Sequence, residues 1–209
     1  MNFFDIRHVA FELFGYPLSY VELIGTLFGL ISVYLASKAH ILTWATGIIN
    51  EVCLSILFFQ VQLYADMFLQ FYFFITTLYG WYTWKYSLSG SVVSRESNKK
   101  NALLAVLIVA GTVMSGYLIR RIHIDLPHYF IVQASYPFID SFVMVSSMIA
   151  TILLAQKKIE TWFLWIAVDI VCILLYIQKE IYFLAVEYVL VLVISCYALY
   201  QWRKQLQND

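Results

Sequence analysis

The sequence predicts an all-α integral membrane protein with seven transmembrane helices. We expect two parallel three-helix repeats joined by one connector helix, a 3+1+3 arrangement. Three observations support this prediction: the composition, the lengths of the apolar segments, and a match of the chain with itself after a shift of 118 residues, which carries Trp44 onto Trp162.

The composition places the chain in a lipid bilayer. Of its 209 residues, 62% are hydrophobic, 18% are aromatic and only 12% are charged, and the mean hydropathy is +0.78. A soluble domain is about half apolar and about a quarter charged. The formal net charge is zero, so the composition gives no indication of nucleic-acid binding.

The cysteines indicate neither a disulfide framework nor a metal site. Cys53, Cys172 and Cys196 all lie in apolar segments, and their number is odd. No spacing of cysteine and histidine resembles a metal-binding motif. We therefore expect no metal and no cofactor.

The first 18 residues are expected to lie at the membrane surface. Asp5, Arg7, His8 and Glu12 interrupt the apolar residues of this stretch, which argues against a cleavable signal peptide. The mixture of apolar and charged residues predicts an amphipathic, interfacial segment over 1–18, formed by a short helix.

Seven segments are apolar over the roughly 20 residues that a helix needs to cross the hydrocarbon core. They cover 19–37, 40–59, 66–85, 101–118, 137–155, 161–177 and 181–202. The predicted parts are a first three-helix bundle (19–86), a cytoplasmic linker (87–100), a connector transmembrane helix (101–119), an interfacial loop (120–135), a second three-helix bundle (136–204) and a C-terminal tail (205–209).

Basic residues are unevenly distributed between the two sides of the predicted helices. One side holds Lys38, Lys85, Arg95, Lys99, Lys100, Lys157, Lys158, Arg203 and Lys204. The other side holds only Arg7, Arg120, Arg121 and Lys179. Because cytoplasmic loops are enriched in Lys and Arg, we expect the C-terminus in the cytoplasm and the N-terminus outside.

The internal match covers three helices without a gap. At the shift of 118 residues, Trp44 aligns with Trp162 and Glu51 with Asp169. Further aligned pairs are Glu22 and Asp140, Gln60 and Gln178, Tyr64 and Tyr182, and Trp84 and Trp202. Aliphatic coincidences are expected in such a chain, whereas repeated matches of Trp, Gln, Tyr and acidic residues indicate a duplication.

The connector determines how the two copies are related. Three crossings leave the chain on the opposite side of the membrane, so one further crossing makes the second copy parallel to the first. Parallel repeats are a transporter architecture, with the substrate bound at the repeat interface near the middle of the bilayer. The alternative is a duplicated scaffold or sensor that transports nothing.

The stretch from Trp162 to Asp169 carries the strongest candidate site. Trp162, Trp165 and Asp169 have i, i+3, i+7 spacing, which places two indoles and a carboxylate on one helix face. A carboxylate in a membrane segment normally faces a partner or a watery cavity. This face suits a flat, cationic or hydroxylated solute, although Trp162 also fits an interfacial aromatic belt.

Other polar residues within the apolar segments extend this candidate site. Asn50, Gln70 and Glu187 lie away from predicted helix ends, and Tyr188 is the equivalent of Gln70 in the second repeat. Asp140 and Phe74, the latter one turn beyond Gln70, complete the candidate set. A first-turn interaction with the helix dipole is the alternative role for Asp140, and helix–helix hydrogen bonding is the alternative for the amides.

An enzymatic function finds little support in the sequence. No metalloprotease, nucleophile-elbow, phosphate-loop or dinucleotide motif is present. The four histidines lie in terminal or loop stretches, so no Ser/His pair within the membrane is evident. We expect the protein not to be an enzyme and not to hydrolyse ATP.

Several motifs resemble the PnuC family of bacterial vitamin transporters. They are the segments 47–50 (GIIN), 62–70 (QLYADMFLQ) and 79–84 (YGWYTW), together with Trp162-x-x-Trp165-x-x-x-Asp169. The last pattern is similar to the substrate-site motif of that family, which carries Asp or Asn at its final position. The resemblance extends from about residue 20 to residue 204.

The resemblance implies a seven-helix fold akin to sugar-facilitator proteins and a homotrimer in the bacterial inner membrane. It implies facilitated diffusion of nicotinamide riboside without a coupled ion. A cytoplasmic riboside kinase then traps the riboside for NAD synthesis. The family also includes transporters of thiamine and riboflavin, so another flat vitamin is the alternative substrate.

Overall fold

The computed structural model describes residues 4–13, 15–60, 64–86, 93–125 and 135–208, without the side chains at positions 64–66, 68 and 208. Seven α-helices account for most of this part of the chain. They are α1 (Tyr20–Ser37), α2 (Leu42–Gln60), α3 (Tyr64–Tyr86), α4 (Asn98–Asp125), α5 (Pro137–Ala155), α6 (Glu160–Gln178) and α7 (Tyr182–Asn208).

All seven predicted helices are present, with ends that differ by a few residues from the predicted ones. Six of them, all except α3, are long and apolar enough to cross a membrane. The 23 residues of α3 span about 34 Å at 1.5 Å per residue, which is also sufficient for a crossing. Its lower hydropathy reflects Asp66, Gln70 and several tyrosines. The prediction of an all-α, multi-pass membrane protein is confirmed.

The sequence predicted a short helix in the N-terminal segment. That prediction is wrong, because this segment forms two strands. Strands β1 (Val9–Leu13) and β2 (Tyr16–Ser19) form an antiparallel hairpin. Gly15 turns the chain between them with a φ of +78°, a conformation that glycine adopts without steric cost. The interfacial position of residues 1–18 stays a prediction.

The hairpin is fastened to the adjacent ends of α1 and α7. The Tyr16 hydroxyl donates a hydrogen bond of 2.7 Å to Glu22, and the Tyr16 ring stacks on Phe183 at 5.4 Å. Burial, together with the carboxylate of Glu22, raises the pKa of Tyr16 above its ordinary value. Ser19 caps α1 by accepting a hydrogen bond from the Glu22 N–H.

The connector helix is longer than predicted. It continues to Asp125, whereas the sequence suggested an end at residue 118 or 119 and a loop from 120. Arg120, Arg121 and His123 stand in or next to the last turn, where positive charge complements the helix dipole and the side chains can reach water. The remainder of the predicted loop, 126–134, and part of the predicted linker, 87–92, lie outside the described residues.

Small residues allow the helices to approach closely. Gly25 and Gly29 of α1 face Cys53 and Asn50 of α2, and an added Cβ would lie 3.2 and 3.0 Å from these side chains. The Asn50 amide donates a hydrogen bond of 2.8 Å to the carbonyl oxygen of Gly25. This contact agrees with the close helix packing that a GxxxG pattern favours.

In the described part of the chain, helices that are neighbours in sequence also pack on one another in space, except for α3 and α4. Helices α1, α2 and α3 form the N-terminal unit, and α5, α6 and α7 form the C-terminal unit. The connector α4 packs on α5. The two units meet where α1 contacts α7 and where α3 contacts α5, and the candidate site lies between these contacts.

Several details of one unit recur in the other at the same spacing of 118 residues. Thr43 donates a hydrogen bond of 2.8 Å to the carbonyl oxygen of Ser32, and Thr161 donates one of 2.8 Å to that of Ala150. The loops between the first two helices of each unit also have a residue with positive φ at matching positions, Ala39 at 51° and Lys157 at 50°.

Candidate functional site

A cavity of about 280 Å³ lies between the two units. Helices α1, α2, α3, α5, α6 and α7 all contribute to its walls. Its polar lining residues are Ser32, Thr43, Asn50, Glu51, Gln70, Thr77, Thr151, Asp169, Glu187, Tyr188 and Ser195, and its tryptophans are Trp44, Trp162 and Trp165. The cavity therefore combines aromatic walls with hydrogen-bonding groups, as small-molecule sites do.

Most of the candidate residues from the sequence lie in this cavity. Seven of the nine line it: Asn50, Gln70, Trp162, Trp165, Asp169, Glu187 and Tyr188. They come from α2, α3, α6 and α7, so the fold brings together residues that are up to 138 positions apart in the chain. Whether they bind a substrate is a proposal taken up below.

Phe74 is not among the described residues that line the cavity, and Phe73 takes its place. The face of α3 turned to the cavity carries Gln70, Phe73 and Thr77, with i, i+3, i+7 spacing. Consecutive helical residues point about 100° apart, so Phe74 is turned away from the centre of this face. Phe73 is therefore the phenylalanine of this face, and a role of Phe74 in substrate binding stays a prediction.

Asp140 also falls outside the described lining of the cavity. It lies in the first turn of α5, whereas Thr151 and Leu154 are the residues of that helix that reach the cavity. Eleven residues of helix separate Asp140 from Thr151, a distance of about 16 Å. The helix-end alternative therefore fits Asp140 better than the contact with a substrate that the sequence analysis included.

Two buried carboxylates occupy matching positions in the two units. The Thr77 hydroxyl donates a hydrogen bond of 2.5 Å to Glu51 Oε1. The Ser195 hydroxyl donates one of 3.0 Å to Asp169 Oδ2. Glu51 is 7% exposed and Asp169 is 1% exposed. Each unit thus holds one carboxylate in the same place with a hydroxyl from its third helix.

The second oxygen of each carboxylate has no hydrogen-bond partner among the described residues. These atoms are Glu51 Oε2 and Asp169 Oδ1, and both are buried. An unpaired buried acceptor costs roughly 1–3 kcal/mol, and more for a charged group. A bound molecule that brings N–H, O–H or positive charge into the cavity would satisfy this unfilled hydrogen-bonding capacity.

Two tryptophan pairs lie at the end of the cavity near the linker residue Val93, and one member of each pair lines the cavity. Trp44 meets Trp84 edge to face at 5.1 Å, and Trp162 meets Trp202 edge to face at 5.4 Å. Trp44 is 3% exposed and Trp162 is 1% exposed, so neither faces lipid. The interfacial-belt alternative for Trp162 is therefore wrong.

Hydrogen bonds between the two units hold this end together. Trp84 of α3 donates its indole N–H to the carbonyl oxygen of Ala155 at 3.0 Å. Trp202 of α7 donates to the carbonyl oxygen of Ala36 at 3.2 Å. Lys157 lies 4.6 Å from the centre of the Trp84 ring, and burial lowers the pKa of its ammonium group.

The cavity is lined by acidic side chains. Glu51, Asp169 and Glu187 line it, and its described lining includes no lysine, arginine or histidine. In the described part of the chain, no group of three or more His, Cys, Asp or Glu side chains is arranged to hold a metal ion. The charge distribution favours a cation or a solute rich in hydrogen-bond donors.

Several lining residues were not part of the set chosen from the sequence. Glu51, Phe73, Thr77 and Ser195 are the main ones. The shift of 118 residues already aligned Glu51 with Asp169 and would have identified it. Thr77 and Ser195 are aligned by the same shift, but hydroxyl residues are frequent helix–helix contacts in membranes and carry a weaker signal.

The chain is similar to known membrane transporters over nearly its whole length. The sequence profile of a family described as Nicotinamide mononucleotide transporter matches residues 19–204. The nicotinamide riboside transporter PnuC of Escherichia coli (strain K12) is 29% identical over 225 residues, which cover 97% of this chain and 94% of that protein. The riboflavin/roseoflavin transporter RibM of Streptomyces davaonensis is 24% identical, covering 96% of this chain and 92% of RibM.

A solved structure has the same fold. It is the crystal structure of the vitamin B3 transporter PnuC, with a TM-score of 0.69 and 20% sequence identity. The match covers 90% of this chain and 83% of that structure. The family profile spans nearly the whole helical part of the chain. The chain therefore belongs to the nicotinamide mononucleotide transporter family, a family of membrane transporters and not of enzymes.

Proposed function

We propose that this protein carries nicotinamide riboside across the bacterial inner membrane by facilitated diffusion, as a uniporter without a coupled ion, for NAD synthesis. The observation that supports the proposal most is the cavity between the units, where tryptophan walls face two carboxylates with unpartnered oxygens. A relative that covers nearly the whole chain is a nicotinamide riboside transporter.

The chemistry of the riboside matches the cavity. Its nicotinamide ring is flat and positively charged, and Trp165 offers a face for cation–π stacking worth about 0.5–2 kcal/mol. Asp169 and Glu51 would compensate the charge or accept ribose hydroxyl protons. Asn50 and Gln70 have amide groups that suit the carboxamide or the sugar.

The cavity favours the riboside over its phosphorylated form. A phosphate group adds about 1.5–2 negative charges and is usually bound by arginine, lysine or helix N-termini. The described lining provides three carboxylates and no basic side chain. Repulsion and the loss of phosphate hydration would therefore exclude the mononucleotide, and phosphorylation by a cytoplasmic riboside kinase would trap the substrate inside.

A flat vitamin such as thiamine or riboflavin is the second candidate substrate. RibM, a riboflavin/roseoflavin transporter, is also similar over nearly the whole chain. Thiamine shares the positive charge of the riboside, but the isoalloxazine ring of riboflavin is neutral and gains less from the cavity carboxylates. A scaffold or sensor without transport would bind the ligand and yet move none of it.

The architecture proposed for transport is two parallel three-helix repeats joined by α4. The paired features at a spacing of 118 residues support it: the Thr–carbonyl bonds, the hydroxyl–carboxylate bonds and the edge-to-face tryptophans. Contacts between the units follow the same pairing, because α1 meets α7 and α3 meets α5. A rocking motion of one unit against the other would then expose the cavity to each side in turn.

The orientation and assembly are proposed from the sequence and the resemblance. The side that holds most lysines and arginines is assigned to the cytoplasm, with the C-terminus there and the N-terminus outside. Helix α4 exposes an apolar face that includes Val106, Val109 and Met114. This face can contact lipid or neighbouring protomers of the homotrimer that the resemblance implies.

Uptake into liposomes tests the proposal directly. Purified protein is reconstituted, and entry of radiolabelled nicotinamide riboside is followed without any ion gradient. We expect uptake that equilibrates but does not concentrate the riboside and that nicotinamide mononucleotide does not inhibit. Binding without uptake would favour a sensor, and preferential uptake of thiamine or riboflavin would favour the second candidate.

A further inference from the structure

A second groove lies away from the central cavity, on the side of the molecule that carries the linker. It has a volume of about 470 Å³ and lies where α4, α6 and α7 come together beside the end of α5. Leu104, Ile108 and Leu164 form its apolar wall, and Phe163 and Arg203 are exposed at its edge. The groove therefore opens on the surface of the helix bundle and is accessible from the membrane.

The rim of this groove is positively charged. Arg95 and Arg203 line it, and in the described part of the chain neither has a carboxylate within ion-pair distance. Glu96 instead pairs with Lys100 at 3.1 Å and Lys158 at 3.4 Å. The lysines are thus engaged with Glu96, whereas the two arginines are available to an anion.

The Arg203 side chain packs against an aromatic ring at the edge of the groove. The Arg203 guanidinium lies 5.5 Å from the centre of the Phe163 ring, within cation–π distance. This stacking leaves the N–H groups at the edge of the guanidinium able to form a bidentate contact with phosphate oxygens.

The groove also presents unsatisfied hydrogen-bond acceptors. Glu160 Oε1 accepts hydrogen bonds from the backbone N–H of Glu96 at 3.1 Å and from the Asn101 amide at 3.5 Å. Glu160 Oε2 and Asn101 Oδ1 are both buried without a partner among the described residues. Both residues line the groove, so a ligand with hydroxyl groups could donate hydrogen bonds to these two oxygens.

We propose that this groove binds one anionic phospholipid of the phosphatidylglycerol type. Its phosphate would lie between Arg95 and Arg203, its glycerol hydroxyls would donate to Glu160 and Asn101, and its acyl chains would follow the wall formed by Leu104 and neighbouring residues. Lys100 and Lys158 offset the charge of Glu96. The two arginines then outweigh Glu160, and the net positive charge complements the single negative charge of this lipid. A zwitterionic lipid has no net charge to match.

The position of the groove agrees with this occupant. Basic pockets between helices near the membrane surface on the cytoplasmic side are suited to anionic head groups. The side that holds the groove is the one with most of the basic residues of the chain. The lipid would bridge α4 to the ends of α6 and α7 and would stabilise the connector against the C-terminal unit.

Native mass spectrometry of purified protein tests the proposal. Protein is extracted from membranes or from nanodiscs made with equal amounts of phosphatidylglycerol and phosphatidylethanolamine, and the retained lipid is identified. We expect one tightly held phosphatidylglycerol per chain. Arg95→Gln and Arg203→Gln should each weaken retention about fivefold, as expected for loss of one basic residue near an anionic lipid.

Two further variants distinguish the effect of charges in the groove from the effect of distant charges and of the groove's shape. Arg120→Gln with Arg121→Gln removes two exposed charges at the opposite end of α4 and should leave retention unchanged. Ala105→Trp fills the groove without altering its charge and should abolish retention. Excess inorganic phosphate and soluble glycerophosphoglycerol are added as competitors, and neither should displace a lipid whose acyl chains also bind.

Some outcomes would overturn the proposal. Equal retention of the two lipids, or equal loss in the Arg120/Arg121 control, would show non-specific lipid contact. Displacement by phosphate alone would show an anion site without a lipid. The lipid assay does not involve the riboside, so its failure would not bear on the transport activity proposed above, nor would a failure of transport bear on it.

Discussion

Ser195 donates a hydrogen bond of 3.0 Å to Asp169, and this bond fixes the orientation of a carboxylate whose other oxygen is buried without a partner among the described residues. The pair joins α6 to α7 inside the C-terminal unit. It leaves Asp169 Oδ1 available to a ligand in the cavity.

Asp169→Asn should weaken riboside binding strongly. The substitution keeps the shape of the side chain and removes its charge, so a hydrogen bond and the compensation of the ring charge are lost. A hydrogen bond to a charged group contributes about 1.5–3 kcal/mol, which predicts a Kd roughly 10-fold to 150-fold higher. Isothermal titration calorimetry on purified protein measures it.

Asp140→Asn is the matched control for Asp169→Asn. It makes the same chemical change in the first turn of α5, outside the described lining of the cavity. Its Kd should stay within about twofold of the wild-type value, a difference of a few tenths of a kcal/mol, because Asp140 does not line the described cavity. Equal losses in both variants would contradict the assignment of Asp169 to the site.

Glu51→Gln should reduce binding as well, because Glu51 occupies in the N-terminal unit the place that Asp169 occupies in the C-terminal unit. Thr77→Val removes only the hydroxyl that orients Glu51, and we expect a smaller loss, on the order of 1 kcal/mol. Calorimetry on each variant and on the double variant checks that the loss of affinity is larger for Glu51→Gln than for Thr77→Val. Wild-type affinity in Glu51→Gln would show that the site uses only the C-terminal carboxylate.

Trp165→Leu should reduce the preference for a charged ring. Cation–π attraction acts on nicotinamide riboside but not on dihydronicotinamide riboside, whose reduced ring is neutral. We expect the ratio of the two affinities to fall by about 2-fold to 30-fold, corresponding to about 0.5–2 kcal/mol. Competition binding with the two compounds measures the ratio. An unchanged ratio would mean that Trp165 acts only as an apolar wall.

Much of the fold follows from local sequence properties. The long apolar segments identified every helix, because the bilayer demands about 20 apolar residues and internally satisfied backbone groups. The hairpin was missed because β1 and β2 have only five and four residues, and their pairing depends on the turn at Gly15. The end of α4 was missed because its charged last turns lie beyond the apolar core, where hydropathy carries no information.

The residues of the candidate site were predictable only in part. A residue lines the cavity only if its face of the helix is turned inward. Polarity within an apolar segment identified Asn50, Gln70, Asp169 and Glu187. The choice between Phe73 and Phe74 depends on a rotation of about 100° that the apolar sequence of α3 does not reveal. Glu51 was identifiable from its alignment with Asp169.

The stability of the segment 93–97 should depend on pH through Glu96. Burial alone would raise the pKa of this carboxyl, but hydrogen bonds and charge from Lys100 and Lys158 outweigh it, and the pKa lies below its ordinary value of 4.5. A lowered pKa in the folded state stabilises the protein above the ordinary value. That stabilisation is lost as the pH falls through the lowered pKa.

Thermal unfolding between pH 7 and pH 3 measures this contribution. Glu96→Gln should be less stable than wild type at pH 7 by about 0.2–1 kcal/mol, a range appropriate to ion pairs near the surface. The difference should become smaller as the pH falls through the lowered pKa, because protonation of Glu96 removes the ion pairs in the wild type. A difference that does not change between pH 7 and pH 3 would indicate a packing effect of the substitution.

Gly80→Ala should destabilise the protein by disturbing the packing of α2 against α3. A Cβ at Gly80 would lie 2.3 Å from Cη2 of Trp44, so the indole or the helix must shift, at a cost of about 1–3 kcal/mol. Trp44 has little room to move because Trp84 packs against it edge to face at 5.1 Å. Gly47→Ala is the control, because its added Cβ would meet its nearest atom at 3.4 Å, close to ordinary contact. Thermal unfolding should show a lower melting temperature for Gly80→Ala only, and equal melting of the two variants would contradict the close packing of Trp44 on Gly80.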